Sequence, residues 1–215
     1  MTTMQRPDKQ LGRRGKFHWL YLSEEKSGTA LYDTIVAESE NFAVLPTKGS
    51  IVPGWVLVVP KFPVSRIADV PKELLGEFRD LVRHVSDRVE AEFGPVFYFE
   101  HGGFKGSKIS CGVDQAHLHI VPLSFDLMGE AEAESPAAWR NLVSDFLPCD
   151  GLPNNEYWYV SDGVAAKYKV VSDPCSQFFR KIIARHSGRE SAWDYRKSDF
   201  IDNVAITLNS MGAND

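Results

Sequence analysis

A run of apolar residues at helical spacing does most to restrict what this chain can become. Leu74, Leu75, Phe78, Leu81, Val82, Val85 and Val89 recur at three- and four-residue intervals, which lines them up along one side of a helix and commits that side to burial. The spacing predicts a helix over 71–93, with Pro71 suited to its first turn. Such a helix needs an apolar surface to cover, and the flanking segments read as strands. Residues 31–39 and 41–47 alternate apolar and polar around a short polar turn, the pattern of a hairpin. VPGWVLVVPK then opens with a Pro-Gly turn and runs into a β-rich stretch closed by Pro60. VFYFEHG and QAHLHIVPL are two more strand-like runs, joined by a loop rich in Gly, Ser and Lys over 103–112. The expectation is an α+β fold: a twisted antiparallel sheet with one long packed helix.

The chain has 215 residues, enough for one domain with an extension. AEAES at 131–135 is a small polar break and the expected seam. Beyond it, SPAAWRNLVSDFL predicts a helix capped by Ser135 with Pro136 at its first position. EYWYVSDGVAAKYKVV predicts two strands around Asp162-Gly163, a two-residue hairpin signal. SQFFRKIIARH has helical spacing and ends near Gly188, and a last helix follows Asp199, its expected cap. The organisation expected is therefore a loose N-terminal tail over 1–16, a core over 17–125, and an α/β extension over 126–215 packed on that core.

Composition narrows the function classes. Hydrophobic residues make up 43% and charged residues 25%, close to the soluble average, and no window approaches the ~18 apolar residues of a membrane span. The basic N-terminus lacks the apolar run of a signal peptide, so a cytoplasmic protein without membrane contact is expected. A net charge of −5 argues against DNA as a partner, because general DNA binders present a basic face to phosphate. A small phosphorylated ligand is still compatible with it. Cys111, Cys149 and Cys175 are widely spaced and never form a CxxC pair, so they read as free thiols and not as a disulfide framework or structural zinc site.

The chemistry concentrates in Gln115-Ala116-His117-Leu118-His119-Ile120-Val121. On a strand, Gln115, His117 and His119 share one face while Ala116, Leu118 and Ile120 turn to the core. Two imidazoles about 7 Å apart along a strand can divide labour at a phosphate. One attacks phosphorus and the other donates a hydrogen bond to oxygen. The attacking ring must be neutral, and a carbonyl bonded to its Nδ1–H would leave Nε2 as the nucleophile. Spacing alone leaves three readings open: a phosphoryl or nucleotidyl site, a metal site, and incidental histidines.

QAHLHIV resembles the strand signature of the histidine triad (HIT) family, His-φ-His-φ-His-φ-φ, with Gln115 in place of the first histidine. The resemblance extends in order over residues 31 to 123. ESENFAVLPTKGSIVPGWVLVVPKFPVSRIADV is similar to the family's hairpin, glycine turn, buried strand and approach to the long helix, and FEHGG falls at its Asn-x-Gly phosphate loop. The resemblance implies a HIT-like sheet and helix, with His117 as nucleophile and His119 in contact with the phosphate. It also implies that residue 115 serves chiefly through its backbone carbonyl. Glu100, His101 and Gly102 stand at the phosphate-loop position. Glu100 departs from the family's Asn, and as an ionised carboxylate it would turn away, bind a cation or orient His101. Lys105, Ser107, Lys108 and Ser110 follow as phosphate contacts, and Phe42, Val44, Leu45 and Pro46 lie where the family holds the nucleoside. Trp55 replaces the histidine of the usual Pro-Gly-His and would either stack on a base or fill the sheet surface, packing being the favoured reading. The segment SQFFRKIIARHSGRESAWDYR resembles the C-terminal extension of a divergent bacterial subset. Trp193 and Tyr195 would anchor it, and Arg180, Arg185, Arg189 and Arg196 would either add positive potential near a phosphate or form a solvated face.

These residues imply a nucleotide hydrolase or nucleotidyl transferase acting on a nucleoside phosphate bond of the dinucleoside polyphosphate or phosphoramidate type. The intermediate would be a covalent nucleotidyl-histidine. No cofactor is obligatory, and a divalent cation is compatible with a polyphosphate substrate. The zinc-binding cysteines of the family's transferase branch are missing. A non-catalytic nucleotide or RNA-end binding module, and a metal protein using His117, His119 and Glu100, are the competing classes. Homodimerisation is common in the family, although the extension would cover the surface involved.

Overall fold

The computed structural model describes residues 16–21, 30–107, 113–143, 146–173 and 175–212. Among these, eight strands form one antiparallel sheet: β1 (Ala37–Glu38), β2 (Phe42–Pro46), β3 (Val56–Pro60), β4 (Val96–Gly102), β5 (Leu118–Pro122), β6 (Arg140–Asn141), β7 (Tyr157–Ser161) and β8 (Ala166–Val170). Their spatial order is β1-β2-β3-β5-β4-β7-β8-β6. The helices are α1 (Leu75–Phe93), α2 (Leu127–Glu134), α3 (Phe178–His186) and α4 (Ile201–Gly212). The fold is α+β. Among the described residues no helix is long and apolar enough to cross a membrane.

Alternation along the strands gives the sheet two apolar faces. Phe42, Val44, Val56, Val58, Tyr98, Leu118 and Ile120 form one core with the buried stripe of α1. That stripe contains Leu75, Phe78, Leu81, Val82, Val85 and Val89, at the spacing the sequence predicts. Trp55, Phe99, Val121, Trp158 and Val160 face the other way, against Phe178, Phe179, Ile182 and Ile183 of α3. The Trp158 and Phe178 rings stack at 3.9 Å. A third cluster on this second side joins Leu45, Leu57 and Val59 to Phe17, so the segment 16–21 is part of the fold. α4 is tied to the β2–β3 connection where Gly54 N donates to Thr207 Oγ1 at 2.8 Å.

The C-terminal part does more than pack on the core, because it continues the sheet. β4 pairs with β5 on one edge and with β7 on the other, from Tyr98↔Ser161 to Gly102↔Tyr157. A partner subunit therefore cannot extend the sheet along β4. Several elements differ from expectation. Residues 31–33 form a single 3-10 turn, so the first hairpin strand shrinks to β1. Pro71 caps a 3-10 turn, Lys72–Leu74, that leads into α1. The polar break at 131–135 lies in α2, whose cap is Asp126: its carboxylate accepts from Met128 N at 3.0 Å and Gly129 N at 3.1 Å. Ser135 ends that helix and does not begin one, and Pro136 disfavours helical backbone in the residue before it. Residues 140–141 are then strand β6, not helix. The β7–β8 connection spans four residues, 162–165, with Asp162 Oδ1 accepting from Val164 N and Ala165 N.

These caps make a direct comparison. Asp126→Ala is expected to destabilise the protein by about 1 kcal/mol through loss of an N-cap. Ser135→Ala is expected to stay within about 0.5 kcal/mol of wild type. Urea unfolding midpoints of the two variants check this, and the reverse ranking would contradict the assignment of Asp126 as the cap.

Candidate active site

The second face of the sheet carries three imidazoles. His119 lies on β5 between its cross-strand neighbours Leu57 and Phe99. Its ring stacks on Phe99 with centroids 4.1 Å apart and planes at 9°. His117 immediately precedes β5, with its ring 5.0 Å from that of His119. His101 comes from β4, two residues beyond Phe99 and therefore on the same face, 6.4 Å from His119. Together they line a pocket whose other walls include Lys16, Phe17, Thr47, Lys48, Gln177, Arg180 and Tyr195. Strands of the sheet thus supply the floor, the N-terminal segment one wall, and α3 with its flanking loops another.

Hydrogen bonding fixes the tautomers. His117 Nδ1 lies 2.8 Å from the Gln115 carbonyl oxygen, and a carbonyl can only accept, so Nδ1 holds the proton and Nε2 keeps its lone pair. His119 has the opposite arrangement. Trp55 Nε1 lies 3.0 Å from His119 Nδ1, and an indole N–H can only donate, so the proton of the neutral His119 ring sits on Nε2. One ring presents a nucleophilic nitrogen and its neighbour a donor. The sequence reading treats Trp55 as packing; it is fully buried, and it also orients a histidine.

Burial keeps all three rings neutral. It lowers the His117 pKa to about 4, with the Lys16 charge adding to the effect and the Gln115 bond opposing it. His101 is lowered to about 3 by burial and by the nearby His117 and Arg180. His119 is held well below the usual value by burial and by His117. His101 Nε2 is a buried nitrogen with no hydrogen-bond partner among the described residues. Lys16 is lowered to about 8, first by burial and then by Lys48 and Arg180, against the pull of Asp33. The pocket therefore collects positive charge beside neutral imidazoles.

Other expected residues lie elsewhere. Gln115 does not join the histidine row: its Nε2 donates to the carbonyls of Pro60 at 3.0 Å and Phe62 at 2.7 Å, and its own carbonyl serves His117. Glu100 points to the α1 side of the sheet, since alternation on β4 sends it opposite to Phe99 and His101. There its carboxylate accepts from Ile67 N at 2.8 Å and Tyr157 Oη at 2.6 Å. This removes Glu100 both from the phosphate side and from a metal set with His117 and His119. Among the described residues no three His, Cys, Asp or Glu side chains are grouped to hold a metal. At Gly102 packing requires a glycine, because a Cβ there would lie 2.3 Å from the Tyr157 ring. Lys105 is exposed, and neither it nor Ser107 lines the pocket. Lys108 and Ser110 lie outside the described residues. Phe42 and Val44 belong to the α1 core; Leu45 and Pro46 are buried and do not line the pocket, although Leu45 packs behind its lining residues Phe17, Leu57 and Val113. Of the four arginines, Arg180 reaches the pocket, while Arg185 pairs with Glu134 and Arg196 with Asp194. Arg189 donates to the Ile51 carbonyl. Cys149 and Cys175 form no disulfide among the described residues, and Cys111 lies outside them.

Residues 29–126 match the HIT domain family, and the histidine pair lies within that stretch, His117 just before β5 and His119 on it. Among relatives, the bis(5'-adenosyl)-triphosphatase of Dictyostelium discoideum is 36% identical over 88 residues, covering 38% of this chain and 54% of that protein. The chain thus spans about half the length of this relative. Among solved structures, a histidine triad nucleotide-binding protein from Sulfolobus tokodaii is 24% identical, with TM-score 0.36 and coverage of 43% of this chain and 62% of that one. A HIT family protein from Bacillus anthracis is 24% identical, with TM-score 0.37 and coverage of 43% and 65%.

Glu100 gives a stability test. Burial raises its pKa from 4.5 to about 7, against the opposing hydrogen bonds from Tyr157 and Ile67. A carboxyl group whose folded pKa is raised contributes stability that is complete below its unfolded pKa and is lost as pH rises through the folded one. Glu100→Gln keeps the shape without the charge. It is expected to be more stable than wild type at pH 8, by up to on the order of 3 kcal/mol, with the difference vanishing towards pH 4. Thermal or urea unfolding across that range checks it, and a variant equally destabilised at every pH would contradict the assignment.

Proposed function

We propose that this protein hydrolyses a nucleoside phosphate bond, of the dinucleoside polyphosphate or phosphoramidate type, through a covalent nucleotidyl intermediate on His117. The observation that carries the reading is the bond from His117 Nδ1 to the Gln115 carbonyl, which aims a neutral Nε2 into a pocket bearing Lys16, Lys48 and Arg180. The Nε2 lone pair attacks phosphorus, forming a P–N bond as the bond to the leaving fragment breaks and that fragment departs with the electron pair. His119 Nε2–H donates to a non-bridging oxygen as charge builds there. Water then attacks the same phosphorus and gives up a proton to solvent, while the P–N bond breaks with its electron pair returning to Nε2, so His117 ends neutral with its proton still on Nδ1. His101 Nε2, otherwise unsatisfied, gains a partner when a phosphate enters. Another phosphate in place of water would make the same step a nucleotidyl transfer. A divalent cation is compatible with a polyphosphate substrate. The named activity of the Dictyostelium relative supports the substrate class.

Product analysis of wild type and His117→Ala with diadenosine tetraphosphate, ATP, a cap-like dinucleotide and adenosine phosphoramidate tests the proposal. Cleavage of at least one is expected, falling by roughly 10³-fold or more in the variant. Nucleotide binding without turnover on all four would instead identify a binding module. A pH profile gives a second check. His117 remains neutral down to about pH 4, so kcat/KM should hold between pH 7 and 5.5, where an unperturbed histidine would already be mostly protonated. An acid limb centred near 6.5 would contradict the buried, neutral nucleophile.

A further inference from the structure

The Trp55 indole that donates to His119 is covered by a residue beyond the stretch 29–126. Trp55 holds the His119 ring through its N–H, and what holds Trp55 is the C-terminal extension. The Arg180 guanidinium of α3 lies over the Trp55 ring at 4.6 Å from its centroid. Arg180 is itself fastened at two points: Nε donates to the Trp193 carbonyl at 3.0 Å, and Nη2 donates to the Gly49 carbonyl in the β2–β3 connection. Gly49 sits at φ +71°, and a Cβ there would lie 2.7 Å from Arg180 Nη2, so this approach needs a glycine. The preceding residue, Phe179, packs at 4.7 Å on Phe99, the ring on which His119 stacks. Two consecutive residues of α3 thus support His119 from two directions: Phe179 through the stacked ring and Arg180 through the hydrogen-bonded one.

We propose that Arg180 is a positioning residue for the active site, clamping the Trp55 indole so that its N–H stays on His119 Nδ1 and the His119 proton stays on Nε2, facing the substrate phosphate. The proposal deepens the hydrolase reading of the same pocket and rests on it for its catalytic consequence. A cation over an indole face gains electrostatic energy that grows when both are desolvated, and Arg180 and Trp55 are 4% and 0% exposed. The clamp also explains why a tryptophan works at this position: its ring offers the face that Arg180 covers and the single donor that His119 needs. On this account the extension is part of the catalytic apparatus, with α3 tuning a residue that it does not itself hydrogen-bond.

The test reads the tautomer directly. Nitrogen-15 NMR of the histidine side chains in wild type, Trp55→Phe, Arg180→Ala, Arg180→Lys and the Trp55→Phe/Arg180→Ala double variant distinguishes protonated from unprotonated ring nitrogens, with no turnover required. Wild type should show His119 protonated at Nε2 alone. Trp55→Phe and Arg180→Ala should both give mixed tautomers, and Arg180→Lys, which keeps the charge with less of the tethering, should fall between Arg180→Ala and wild type. With whichever substrate is cleaved, kcat should fall roughly tenfold in each single variant and no further in the double variant, because both act through one bond. A wild-type tautomer in Arg180→Ala or Arg180→Lys together with lost activity would overturn the proposal, since Arg180 would then act on the substrate directly. A wild-type tautomer in Trp55→Phe would overturn it as well. Should Arg180→Ala not fold, Arg180→Lys and Trp55→Phe carry the same comparison. If the NMR pattern is as expected and no substrate is turned over, the clamp stands and the hydrolase reading falls.

Discussion

The double pairing of β4 is the constraint on which the remaining structure depends. One edge of this strand bonds to β5 and the other to β7, so the stretch 29–126 and the C-terminal segment share a single sheet. Strand alternation then sorts the side chains of β4 without further instruction. Phe99 and His101 turn to the pocket, and Tyr98 and Glu100 turn to α1. Had β7 not taken the second edge of β4, that edge would present unpaired backbone groups to solvent or to another chain. The pairing also brings the polypeptide back over the histidine face, where α3 buries Phe99 and Trp55.

From this frame follows the division of roles between the two strand histidines. Both rings are buried and neutral, and chemically they start alike. They differ only in the partner of Nδ1: a carbonyl for His117, an indole N–H for His119. An acceptor forces one tautomer and a donor the other, so the same side chain serves as nucleophile at one position and as hydrogen-bond donor two residues later. The positive groups around them, Lys16, Lys48 and Arg180, come from three separate stretches of chain and converge on the pocket from its walls.

Much of this is legible in the sequence, for identifiable reasons. The α1 stripe, the strands within 29–126 and the His117/His119 row follow from periodicities of 3.6 and 2 residues, which burial enforces. The role of the Gln115 carbonyl follows from the family pattern. What the family resemblance does not report is which side chain of an alternating strand meets the ligand: it points to Phe42 and Val44 for a nucleoside site, and both belong to the α1 core. Glu100 follows the same logic: one residue of alternation separates it from the phosphate side, and its partners Tyr157 and Ile67 lie 57 and 33 residues away. The helix expected at 135 is absent because Asp126 caps a helix that Ser135 closes, and the residues that follow are drawn into the sheet as β6. Lys16, Lys48 and Gln177 carry no local signal, because their importance arises only when distant segments converge.

The central claim is that His117 nitrogen, and not water, makes the first attack on phosphorus. The most direct measurement is the stereochemical course at that phosphorus, followed with a substrate made chiral there by oxygen isotopes or sulfur and hydrolysed in isotopically labelled water. Each in-line displacement inverts configuration, so attack by His117 followed by attack of water predicts net retention. Net inversion would mean a single displacement by water and would contradict the account.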